Sequence, residues 1–128
     1  NGVVMLLGMA VFAKLFLETV NYMEHYGLVR VPGTPVAIHH SWNTNKLVSS
    51  LLLYNLTRHS HHHEQGSLEF WKLQPKSNAP EMPYGYLTTL YLLVFFPWLY
   101  RRRMEPKLEH WLNHYATEDE RKLALTSN

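Results

Sequence analysis

The stretch from Gly2 to Ala13 carries no charged or strongly polar side chain, and its apolar character continues through Phe16 and Leu17 to Val20. A run of this kind must be shielded from water, by lipid or by other protein, and this requirement limits the possible folds more than any other feature of the chain. No proline interrupts it, and Leu, Met and Ala favour helix. A helix over residues 2 to about 28 would reach roughly 40 Å, more than the roughly 30 Å of a bilayer's hydrocarbon core. A membrane-crossing helix is therefore expected. With no basic leader or small-residue cleavage site beside it, a secretory signal peptide is not. Lys14, Glu18, Asn21 and His25 interrupt the apolar surface at steps of four, three and four, which places them along one helix face. Ionisable groups inside a membrane usually face a bundle interior or a cavity.

Two further apolar blocks follow. A helix is expected over about 45 to 63, with an apolar body at 47 to 56 and a histidine-rich end, and a third block covers 84 to 100, where Pro97 kinks or ends it. Pro32, Gly33 and Pro35 mark a turn in the connection 29 to 43, and Ser41, Asn43 and Thr44 are candidate N-caps for the second helix. Residues 64 to 83 form a long loop. Trp98, Tyr100 and then Arg101, Arg102 and Arg103 follow the aromatic-then-basic order of a membrane boundary, with the arginines on the cytoplasmic side. Beyond them, Pro106 suits the first turn of a short helix through Trp111, and Thr117-Glu-Asp-Glu120 has the form of a capping box.

The chain has 128 residues and a net charge of +2, too balanced for a protein that binds nucleic acid through its phosphates. Having no cysteine, it has no disulfide, thiolate ligand, iron–sulfur cluster or cysteine nucleophile. Only five carboxylates occur in the first hundred residues, Glu18, Glu24, Glu64, Glu69 and Glu81, against seven of the nine histidines. His59, His62 and His63 share a helix face, and imidazoles aimed at one point require a metal or a shared proton. The competing reading is a solvated loop cluster. His61 is out of phase. His25, taken alone, reads as a partly buried histidine. His39 and His40 are open between ligand, cap and surface roles, and His110 and His114 suit a solvated face. Imidazole suits Zn, Fe, Cu and Ni. The His-Glu-x-x-His zinc signature and the Glu-x-x-His pairs of carboxylate di-iron bundles are both absent. An all-histidine or nearly all-histidine iron site in a membrane bundle remains.

Two strings carry a family resemblance. Asn21-Tyr-Met-Glu-His-Tyr-Gly-Leu28 resembles the motif NYxEHYGL, and Leu56-Thr-Arg-His-Ser-His-His-His63 resembles LQRHSDHH. Both belong to the integral-membrane alkane 1-monooxygenases of the alkane hydroxylase AlkB family. Ser41-Trp-Asn43 and Pro83-Tyr-Gly-Tyr86 are similar to further stretches of that family, and the resemblance runs collinearly over roughly residues 15 to 111. The first motif is specific to the alkane and xylene branch, whereas the second is shared with membrane desaturases and fatty-acid hydroxylases. His61 stands where the family motif has Asp.

The resemblance implies an all-α fold. It would be a partial membrane helix bundle of two to three apolar helices with short amphipathic C-terminal helices. Residues 1–103 would form the C-terminal part of a histidine-rich di-iron hydroxylase domain, and 104–128 a polar, cytoplasmic tail. By the same resemblance His25, His59, His62 and His63 are iron ligands, with Asn21 and Glu24 orienting their imidazoles. The implied reaction hydroxylates the terminal methyl of a linear alkane with O2, with rubredoxin as electron donor. The implied location is a bacterial inner membrane, in contact with lipid and with the site toward the cytoplasm. Lys72, Lys76 and Arg101 to Arg103 are candidates for docking the donor, or for lipid headgroup contact. The family's two upstream histidine boxes are missing from this sequence, so four ligands hold at most part of a di-iron centre. The chain is expected to be a C-terminal piece, inactive alone. The rival readings are a membrane desaturase or fatty-acid hydroxylase, and a non-catalytic metal-binding membrane module.

Overall fold

The computed structural model describes residues 1–126. Helix α1 runs from Gly2 to His25. Its side chains are exposed up to residue 18, and it is the one helix among the described residues long and apolar enough to cross a membrane. Lys14 Nζ meets Glu18 Oε1 at 3.0 Å one turn on, so the two charges on this surface neutralise each other. Packing begins only at the C-terminal end of α1. There Val20 and Met23 enter a core with Trp42, Met82, Tyr86, Tyr100, Met104 and Trp111.

The chain then turns back. Val31 to Thr34 form a turn closed by the Thr34 N–H on the Val31 carbonyl at 3.2 Å, with Pro32 second and Gly33, at φ +84°, third. These are the positions at which a type II turn favours Pro and needs glycine. The returning strand of chain docks on the end of α1. The Trp42 N–H donates to the Glu24 carbonyl at 2.7 Å, and the Trp42 indole N–H donates to the Tyr26 carbonyl at 2.8 Å. Between turn and dock lies a short 3-10 helix, Ile38–His40.

The expected single helix over 45 to 63 is two helices, α2 (Leu47–Leu52) and α3 (His59–Glu64). Tyr54 and Asn55 between them take left-handed conformations, φ 49° and 62°. Hydroxyl groups hold the break. Ser50 Oγ lies 3.0 Å from Thr57 Oγ1, both buried, and Ser49 Oγ accepts the Tyr86 N–H at 3.2 Å. The apolar run at 47 to 56 is therefore broken and does not span a membrane as one rod. Nor do Ser41, Asn43 and Thr44 cap α2, which starts at Leu47 after a Lys46 N-cap with no side-chain bond. Asn43 instead bridges to Glu81, accepting the Met82 N–H and donating its own N–H to the Pro80 carbonyl, each at 2.8 Å.

Helix α4 (Tyr86–Phe95) ends before Pro97, which opens α5 (Pro97–His114). Pro106 lies inside α5 rather than starting a new helix. It sits on an exposed flank, where the carbonyl it leaves unpaired can be met by solvent. The boundary expected at residue 103 thus falls within α5, whose Met104 and Trp111 belong to the core. Helix α6 (Glu118–Thr126) opens with the expected capping box. The Thr117 N–H donates to Glu120 Oε2 at 2.8 Å, and the Glu120 N–H donates to Thr117 Oγ1 at 3.3 Å. The fold is all-α among the described residues, with one membrane-length helix and a packed end that carries the histidines.

Candidate metal centre

His25 ends α1 and His59 opens α3, two segments brought together by the returning chain. The Ser60 hydroxyl donates to the Ser41 carbonyl at 3.3 Å, which seats α3 on the docked strand. One ring nitrogen from each of His25, His59 and His63 lies within 4.8 Å of the other two. The His59 and His63 rings, one helical turn apart, have centroids 4.4 Å apart. The His25 ring lies 5.5 Å from His59 and 5.3 Å from His63.

Each imidazole is set by what surrounds it. The His40 carbonyl accepts a hydrogen bond from His25 Nδ1–H at 2.8 Å, which leaves His25 Nε2 with a free lone pair. Burial, reinforced by the other histidines of the cluster, pushes the His59 imidazole down to about 3 and His63 to about 4, so both are neutral at physiological pH. His63 Nε2 is buried and has no hydrogen-bond partner among the described residues. An orphaned buried nitrogen is costly. Three converging imidazoles, one of them carrying that nitrogen, fit a metal ion of the kind nitrogen donors prefer.

His62 is exposed, with its ring 5.8 Å from that of His59, and is not one of the converging three. Together with His59 it lines an open cavity of about 500 Å³ whose other lining includes Leu53, Leu56, Leu68, Phe70 and Leu73. His61 is turned away, as its phase predicts. Its Nδ1 accepts the Gln74 N–H at 2.9 Å and so fastens the loop after α3. Glu24 is buried beside the cluster, with Oε2 3.5 Å from His59 Nε2 and Oε1 accepting the Tyr86 O–H at 2.8 Å. Asn21 is exposed on α1, while His110 and His114 lie exposed on α5.

The roles of two residues of this neighbourhood are not legible in the sequence. Tyr86 stands in a stretch singled out only by resemblance, and nothing local marks its hydroxyl as the donor to Glu24. Glu120 was visible as a capping-box residue alone. Its Oε1 also accepts from His40 Nε2–H at 2.6 Å, and its Oε2 lies 3.2 Å from His39 Nε2. Burial opposes its ionisation, but the Thr117 N–H, His40 and His39 outweigh that and hold the carboxyl down at about 2.

The packed helical end presents converging imidazoles at the foot of one helix long and apolar enough to cross a membrane. A family model described as fatty acid desaturase matches residues 1–92. The chain belongs to that family. Within it, the similarity is to monooxygenases. Alkane 1-monooxygenase 2 of Alcanivorax borkumensis is 42% identical over 114 residues, covering 85% of this chain and 30% of that protein. The xylene/toluene monooxygenase hydroxylase component XylM of Pseudomonas putida is 39% identical, over 92% of this chain and 32% of its own length. Alkane 1-monooxygenase 2 of Pseudomonas aeruginosa is 38% identical with the same two coverages, 92% and 32%. The resemblance carried by the two histidine strings is thereby borne out. The chain spans about a third of the length of these curated relatives.

Proposed function

We propose that the intact protein is a membrane non-haem di-iron monooxygenase that hydroxylates the terminal methyl of linear alkanes, using O2 and electrons delivered by rubredoxin. The observation that carries this reading is the convergence of the His25, His59 and His63 imidazoles, with His63 Nε2 orphaned, beside a cavity walled by Leu and Phe. His25, His59, His62 and His63 are the proposed iron ligands contributed by this chain, His62 from the cavity edge.

When bound, iron supplies the O2 activation that an unactivated C–H bond demands. The residues of this chain do the rest. The His40 carbonyl keeps the proton of His25 on Nδ1 and presents Nε2 to the centre. The Tyr86 hydroxyl holds Glu24 against His59, so the carboxylate can fix that ring. The apolar walls of the cavity favour hydrocarbon over water. Contact with its walls discriminates chain lengths only weakly, because a methylene is worth about 1–3 kcal/mol. Selectivity for the chain end must come from which carbon reaches the histidines.

The packed end of α1 is expected to face the cytoplasm. Tyr100 is buried there, its hydroxyl 3.5 Å from the Met23 carbonyl, and Arg101, Arg102 and Arg103 follow it directly, exposed. These arginines form the proposed docking surface for an acidic electron donor. Lys72 and Lys76 are already paired with Glu69 and Glu64.

The test uses the full-length protein in lipid, loaded with Fe(II) and supplied with O2 and reduced rubredoxin. Octane is expected to yield 1-octanol. A product only from toluene or xylene would move the substrate to aromatic methyl groups. Turnover only of acyl chains would replace the reading with a fatty-acid hydroxylase or desaturase. Absence of iron from a correctly folded protein would overturn it altogether.

A further inference from the structure

His39, His40 and Glu120 form a second cluster, with one ligand-type atom from each within 4.8 Å of the others. Its hydrogen bonds show that it is not a second cation site. The Ala37 N–H donates to His40 Nδ1 at 2.9 Å, so the proton of the neutral ring sits on Nε2, which points at Glu120 Oε1 at 2.6 Å. A nitrogen that carries a proton has no lone pair for a metal. Both Glu120 oxygens are already engaged, Oε1 by His40 and Oε2 by the Thr117 N–H and His39.

The cluster is a clasp, and what it clasps is the short 3-10 helix that orients His25. Glu120 reaches this turn from α6, eighty residues away in sequence. Trp111 reaches it from α5, its indole N–H donating to the His39 carbonyl at 2.7 Å. The next carbonyl, that of His40, accepts from His25 Nδ1–H. One short turn is thus gripped on one side by the last two helices, and on the other it sets the ring that faces the centre.

We propose that Glu120 is a positioning residue of the metal centre, acting through His40 to fix the carbonyl that aims His25. This rests on the reading of His25 as an iron ligand. Groups that orient a ligand from behind typically contribute about 10- to 100-fold to metal affinity.

The test compares the intact protein, isolated with its iron, with Glu120→Ala, Glu120→Met, Thr117→Ala and His25→Ala. Thr117→Ala removes the hydroxyl that receives the Glu120 N–H and so loosens the start of α6 without touching His40. Glu120→Met nearly keeps the side-chain volume but accepts no hydrogen bond from His40, so the outcome does not depend on the truncation folding. Iron loss to a chelator and the Mössbauer spectrum of isotopically enriched protein are read together. Both Glu120 variants are expected to lose iron about 10- to 100-fold faster. Their spectra should be perturbed in the same component that His25→Ala removes, while Thr117→Ala behaves as wild type. Wild-type retention and spectrum in Glu120→Met would overturn the proposal. Equal loss in Thr117→Ala would also overturn it, because the stability of α6 alone would then account for the effect. Wild-type protein that holds no iron would instead overturn the underlying metal reading.

Discussion

A hydroxyl, a carboxylate and an imidazole in series make the packing around His59 sensitive to single atoms. Tyr86→Phe removes the donor to Glu24 Oε1 and leaves a buried oxygen unsatisfied. The expected cost is about 1–3 kcal/mol of stability, read as a lowered denaturation midpoint of the purified protein. His63→Ala is expected to reduce bound iron and turnover to background while leaving the helical content intact, checked by metal analysis and circular dichroism. Glu120 gives the molecule an acid limb. Its folded carboxyl is held at about 2 against an ordinary 4.5, so the folded state favours the carboxylate. That contribution is complete above the ordinary value and is lost as pH falls from there through about 2. Between pH about 6 and about 3 the stability of the wild type is expected to fall more steeply than that of Glu120→Gln, measured by denaturant midpoints at the two values.

Among the elements, the junction of α1 with the returning chain carries the strictest backbone demand. Gly27 has φ +70°, and a Cβ there would lie 2.5 Å from Leu108 Cδ2. Gly27→Ala is expected to cost about 1–3 kcal/mol, from the left-handed backbone and from displacing Leu108, with a matching drop in thermal midpoint. Helix α1, the turn at 31 to 34 and the capping box of α6 are legible in the sequence, because each is written in a local pattern of apolar period, Pro-Gly or Thr-x-x-Glu. The division of α2 from α3 is not, because the apolar run through Leu56 reads as one helix. What divides that run is the demand of Ser49, Ser50 and Thr57 for buried partners, one of them on α4. The site was legible in the same proportion. His59 and His63 follow from helical spacing, whereas His25 joins them only through a tertiary loop, and the Glu120 bond to His40 has no local signature at all.

For the whole molecule, the contrast between the two ends of α1 is decisive. Side chains along α1 up to residue 18 are exposed, while Met23 is wholly buried. That contrast divides α1 into an apolar shaft, long enough to cross a membrane, and a protein-packed head. Leu7→Arg places a charge on the shaft and is expected to weaken membrane insertion by about 2.5–3.5 kcal/mol, checked by the fraction of the intact protein retained in carbonate-washed membranes. Neutralising Arg101, Arg102 and Arg103 together is expected to flatten the dependence of donor-driven turnover on ionic strength; turnover insensitive to salt in the wild type would remove the docking role.

The returning chain also divides into a slack half and a taut half. Residues 32–36 are exposed around the Pro-Gly turn, whereas 40–44 are all buried and bonded in register to α1, to α3 and to the segment at 80–82. Evolutionary length changes should therefore collect in the first half and be excluded from the second. An extra residue beside Gly33 merely lengthens a surface bend, while one inserted after His40 would slide every later backbone partner by a position and uncouple the two histidine segments.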